Sequence, residues 1–300
     1  MMRSKPFLKN LAKLAPLFSV IPLIFLLSAC SSSTAPTYQK KDIPKAIREI
    51  CKKDYNIDIR SRIEGSTLWV YLPIDGTVEV PKKKEKYTER FEIKSLDSNF
   101  QDSAFNIDYL INPVPEAEKP IEYKYTKEAI EKRSKVWAVI RRVLFSMDRN
   151  NFAEPKFICF ITADIKYGFI TKDLGYYLDL KKVSYELISM TEYQHRVVTE
   201  NVDMPQVKGD VQGLSIDYKD FTMEEFIAAQ IKSRTRLKFQ KPEVDRKADM
   251  DKEVLKVTAA TLKIYDYKNF RQVSLNNLRT GEKIILNEGA IWAKDSEQRF

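Results

Sequence analysis

The sequence predicts an α+β fold built from two or three small units, each a helix plus an antiparallel β-hairpin or sheet. Three observations point there. A helix-like stretch followed by strand-like stretches recurs near residues 42–73, 126–180 and 253–287. The strand-like stretches alternate apolar and polar residues with a period of two, as a half-buried strand does. With 43% hydrophobic residues and eight glycines among 300, most of the chain should fold. Helices covering one face of antiparallel sheets are the economical way to bury such segments.

The first unit spans residues 42–115. Asp42-Ile43-Pro44 opens a helix with an Asp cap and an early proline. Ile43, Ile47, Ile50 and Cys51 then share one side. In "NIDIRSRI", Ile57, Ile59 and Ile63 alternate with charged residues, which predicts a strand. A turn at Glu64-Gly65-Ser66 leads to "TLWVYLPI", with Leu68, Val70 and Leu72 on one face and Trp69 and Tyr71 on the other. The charge run "PKKKEKYTER", residues 81–90, reads as a solvated loop or strand edge, since Glu85 and Glu89 break its basic character. "INPVPEAEKP", residues 111–120, holds three prolines and reads as a linker.

The second unit, residues 116–200, carries the longest helix, from about Thr126 to Asp148. Its apolar stripe is Ala129, Ile130, Val136, Trp137, Ile140, Leu144 and Met147. Lys132, Arg133, Lys135, Arg141 and Arg142 cover the exposed face, with stems lying on apolar surface. "KFICFITADI" is a nearly continuous apolar run, the pattern of a central strand. "YGFITKDLGYYLDLKKV" reads as strand or hairpin, and residues 184–197 as a helix. The third unit, residues 201–300, follows a loop at 199–213. Thr222-Met223-Glu224-Glu225 forms a capping box before Phe226, Ile227 and Ile231. "EVLKVTAATLKIY" suits a helix, and a hairpin is centred on Thr280-Gly281.

The first forty residues set the compartment. Arg3, Lys5, Lys9 and Lys13 precede an apolar block, Leu14 to Leu27, and residues 1–29 contain no acid. A basic segment, a short apolar segment and small residues before a cut site make a secretory signal. The block stops short of the roughly 20 residues that a spanning helix needs, and Pro22 would disturb its interior. Leu27-Ser28-Ala29-Cys30 resembles the lipobox of bacterial lipoproteins. That resemblance covers only the first thirty residues or so. It implies that residues 1–29 are removed and that Cys30 carries diacylglycerol and, on its new amine, a further acyl chain such as palmitate. Each buried methylene contributes ~0.8 kcal/mol, so two or three chains anchor where one binds marginally. Residues 30–41, rich in serine and threonine, read as a flexible tether reaching about 18–20 Å. Ser31 is not the aspartate that retains lipoproteins at the inner membrane. By the same resemblance the periplasmic face of the outer membrane is favoured in a didermal organism.

Loss of residues 1–29 would lower the net charge from +9 to +5, with 47 basic and 42 acidic residues remaining. So mild a balance, in a secreted protein, argues for no nucleic-acid partner. Cys51 and Cys159 leave two outcomes open: a disulfide, which an oxidising envelope permits, or two buried thiols.

Catalytic motifs are scarce. His195, in "EYQHRVV", is the one histidine. No HExxH, His/Cys cluster, calcium loop, GxSxG elbow, P-loop or GxGxxG occurs, so no metal and no cofactor is expected. Asp164, Asp173 and Asp179 remain as candidate acid/base carboxylates. Aromatic clusters such as "YYLDL" and "LWVYL" fit sheet packing better than a glycan groove. The expected function is therefore a non-catalytic envelope lipoprotein, an adaptor or accessory subunit for another envelope protein. The alternatives are a glycan-directed hydrolase using paired carboxylates and a carrier of an apolar ligand, which needs an enclosed cavity of roughly 300 Å³.

Overall fold

The computed structural model describes residues 38–147 and 154–293, so Cys30, the signal-like segment and most of the tether lie outside the described residues. The fold is α+β. The first described helical elements are a short 3₁₀ turn, Lys40–Asp42, and helix α1, Ile43–Tyr55. Asp42 does not cap that helix through its side chain, because the turn before it already holds its backbone helical. Strands β1 (Arg60–Glu64) and β2 (Thr67–Ile74) form the expected hairpin. Gly65 at its turn has φ +55°, and a Cβ there would lie 2.0 Å from the Asp220 carboxylate, so only glycine fits.

After β3 (Val78–Glu79) come two long strands, β4 (Lys86–Gln101) and β5 (Ala104–Pro120), then β6 (Lys124–Tyr125) and helix α2 (Lys127–Phe145). Strands β7 (Phe157–Asp164) and β8 (Phe169–Tyr176) lead to helices α3 (Tyr177–Ser184) and α4 (Met190–Arg196) and strand β9 (Val198–Asp203). Helices α5 (Met223–Gln240) and α6 (Met250–Ile264), strands β10 (Gln272–Asn277) and β11 (Lys283–Asn287) and a short helix α7 (Glu288–Trp292) complete the chain. Both halves of the capping box form at Thr222 and Glu225.

Two sheets organise these elements. One has the order β1-β2-β7-β8-β9, the other β11-β10-β5-β4. Their membership interleaves the stretches 42–115, 116–200 and 201–300: β1 and β2 join β7–β9, whereas β4 and β5 join β10 and β11. Two pairings are parallel, β2 with β7 and β5 with β10, where antiparallel hairpins alone were expected. The stretch 111–120 is no linker either. It is the far half of β5, paired among the described residues with β4 on one side only. Proline lacks a donor, and on an edge that no strand occupies the loss is harmless. The charge run 81–90 enters β4 and is laced to β5 by Lys86–Glu118, Arg90–Glu116 and Lys119–Glu89 ion pairs. Tyr38, counted in the tether, is already docked: its N–H donates to the Ser146 carbonyl at 3.2 Å.

The five-stranded sheet is buried on both faces. Leu68, Val70, Leu72, Ile158 and Phe160 pack under α1, α2 and α3. Trp69, Tyr71, Phe157, Cys159 and Ile161 face the other way, under residues 205–221 and Phe226. The alternation read in "TLWVYLPI" is thus real, and both of its faces are core. Helix α5 is shared, sending Phe226 to the five-stranded sheet and Ile227 and Ile231 to the four-stranded one.

Candidate functional site

An open groove of about 630 Å³ lies between α2 and the α3–α4 pair. Its walls are mainly apolar, with Ile130 and Trp137 from α2, Leu180 and Val183 from α3, and Met190 and Tyr193 from α4, and the polar Ser134, Arg141 and Gln194 line it as well. Trp137 is held by an edge-to-face contact with Phe160, 5.4 Å between centroids. Ile130 and Met190 are 53% and 55% exposed, which places large apolar side chains in solvent on opposite walls of one depression. Ile130 was expected in the core stripe. It lies instead on the groove side of α2, while Val139 and Val143 take part in the core.

The floor is polar and internally saturated. Arg133 donates to Asp173 at 2.6 Å and to the Thr162 hydroxyl at 2.7 Å. Thr199 donates to the other Asp173 oxygen at 2.8 Å. The guanidinium also lies 5.5 Å from the Tyr125 ring and 5.6 Å from that of Phe160. Burial raises the Asp173 pKa above the usual carboxylate value, and Arg133 acts in the opposite direction. The sequence places Arg133 on the exposed face with Lys132, Lys135, Arg141 and Arg142, and Arg141 is exposed at the groove. Lys132, Lys135 and Arg142 do sit outside, paired with Glu128, Glu131 and Asp54. Arg133 turns inward. The signal was present: it falls four residues after Ala129 and three before Val136, on the buried stripe itself.

The other candidate carboxylates also hold structure, although the second oxygen of Asp179 is buried without a hydrogen-bond partner. Asp164, at the end of β7, accepts from the Thr77 N–H at 2.6 Å and its hydroxyl at 2.9 Å. It also accepts from the Lys166 and Tyr167 N–H groups, so it ties two turns together. Asp164 pairs with Phe169, four residues from Asp173 along β8, a separation of roughly 13 Å at about 3.3 Å per residue. That exceeds the roughly 5–10 Å that paired glycosidase carboxylates need. Asp179, in the first turn of α3, is buried against Arg196 at 2.9 Å, and Arg196 also holds Glu192 at 2.8 Å. His195, beside it, is half-buried in the last turn of α4. Among the described residues no group of three or more His, Cys, Asp or Glu is placed to hold a metal ion.

Cys51 and Cys159 are both free and buried. They point to opposite faces of the five-stranded sheet, Cys51 into the core under α1 and Cys159 into the core under Phe226. The disulfide outcome is thereby set aside. Burial pushes the Cys51 thiol up to about 12, with Asp54 adding to it, and burial likewise raises Cys159. Neither is a reactive thiolate near neutral pH.

No helix among the described residues is long and apolar enough to cross a membrane. No family model, curated protein or solved structure matches the chain.

Proposed function

We propose that this protein is a non-catalytic lipoprotein of the cell envelope, anchored through diacylglycerol on Cys30, and that it serves as an adaptor or accessory subunit for another envelope protein. The observation that carries the binding role is the groove between α2 and α3–α4. An apolar rim with Ile130 and Met190 in solvent, above a floor whose charges are already paired, suits an apolar segment of a partner protein. Methionine at such a rim adapts to varied side chains. The structural roles of the carboxylates speak against the hydrolase alternative, because Asp164, Asp173 and Asp179 each hold part of the fold. The groove is open along its length, which disfavours the carrier alternative.

The lipobox Leu27-Ser28-Ala29-Cys30 supports the anchor, and Ser31 supports the outer membrane. Docking of Tyr38 against Ser146 leaves eight residues of sequence from Cys30, about 29 Å at full extension. The body would then work close to the headgroups. A photo-crosslinker at Met190, with one at Leu278 as a distant control, tests the reading in intact cells. The same protein should be captured from Met190 in repeated experiments, and an Ile130→Glu change should abolish the capture. Equal capture from both positions, or none from Met190, would contradict it.

A further inference from the structure

Strand β9 closes the five-stranded sheet, and no strand pairs with its outer edge among the described residues. Beside that edge runs a cleft of about 500 Å³. One wall is the continuous run 197–201. Thr199 and Asn201 point towards Asp173 and Thr171, while Val198 packs on the opposite, α5 side. Residues of both orientations line the cleft, so its wall is the edge of the strand rather than one face of the sheet. The other wall is a single side of α5, with Ala229, Lys232 and Arg236 following at helical spacing. Helix α5 packs on one face of β9 through Phe226 and Val198, and the cleft is bounded by the strand edge and one side of that helix, a setting in which an extended peptide can add to a sheet. Charge narrows the occupant. Glu200 is neutralised by Lys172 at 2.6 Å and Lys232 faces Asp97 at 3.4 Å. Arg236 is exposed, and no ion pair is found for it among the described residues.

We propose that β9 and α5 form a strand-addition site for an extended segment of a partner protein that carries a carboxylate opposite Arg236. The site deepens the adaptor reading and rests on it, adding a second, hydrogen-bonding contact to the apolar one. The test uses the full chain in detergent and a fluorescent peptide of about eight residues, β9 plus one residue at each end, alternating Val and Glu. A Val/Lys peptide and an N-methylated Val/Glu peptide serve as controls. The Val/Glu peptide should bind and slow amide exchange in 198–203. Lysine in place of glutamate, backbone N-methylation and Arg236→Glu should each weaken binding by about tenfold or more. Absence of binding at millimolar peptide, or equal binding of the N-methylated form, would overturn the proposal. So would concentration-dependent protection of β9 without peptide, which would assign the edge to a second copy of this chain. Capture from Met190 without peptide binding would refute this site alone, whereas failure of both would refute the adaptor reading as well.

Discussion

Replacing Arg133 with methionine isolates the one ion pair that the groove floor is built on. The Arg133 and Asp173 side chains are only 18% and 6% exposed. Removing the cation leaves a buried carboxylate with a single hydroxyl donor, Thr199, and such a loss costs about 3–5 kcal/mol. At roughly 2–4 °C per kcal/mol for a chain of this size, the melting temperature should fall by about 6–20 °C. The cost should depend on pH in a defined direction. Asp173 already has its folded pKa raised by burial, with Arg133 opposing the rise. Without Arg133 that folded value climbs further above the unfolded one, near 3.9. The folded state then binds the proton more tightly, so stability is lost as pH rises from about 4 through the folded pKa. Denaturant unfolding of the detergent-solubilised chain at pH 5 and pH 8 reads this directly: Arg133→Met should be weaker at both values and weakest at pH 8. A second variant, Arg133→Met with Asp173→Leu, should recover most of the loss, because an apolar pair of similar volume replaces the buried charges. A loss below about 1 kcal/mol, or a larger loss at pH 5 than at pH 8, would refute the assignment of Asp173 as a buried, Arg133-dependent anion.

Two further outcomes follow from the fold. Native protein should leave Cys51 and Cys159 unmodified by a thiol reagent at pH 8, and both should react once unfolded; a native disulfide by mass spectrometry would contradict the structure. Thr222→Ala removes one half of the capping box on α5 and should cost about 1 kcal/mol in denaturant unfolding, with no change in the β9 cleft.

Much of the local structure was legible because local rules decide it. The cap at Thr222, the hairpin at Thr280-Gly281 and the alternation along β2 depend on neighbours a few residues apart. The fold-level errors came from contacts that no local pattern encodes. β2 meets β7 more than eighty residues later, and β5 meets β10 later still, so three apparent sequence units became two interleaved sheets. Residues 111–120 look like a linker because prolines usually interrupt strands, and only an unpaired edge makes them tolerable there. Strand β9 hid inside a polar loop, "TENVD", since an exposed edge strand needs no apolar alternation. The groove was not legible as a site. Trp137 reads as part of the apolar stripe of α2 and Arg133 as one of its exposed cations, and the opposing wall from Met190 and Tyr193 requires α4 to fold back beside α2.

The account depends most on the sulfur of Cys30 as the point of attachment. Cells carrying the parent chain or Cys30→Ser can be fed radiolabelled palmitate, fractionated, and the protein recovered from membrane and soluble pools. The parent should carry label and sediment with envelopes, and the serine variant should lose both properties while remaining folded. Label and sedimentation unchanged in Cys30→Ser would contradict the account.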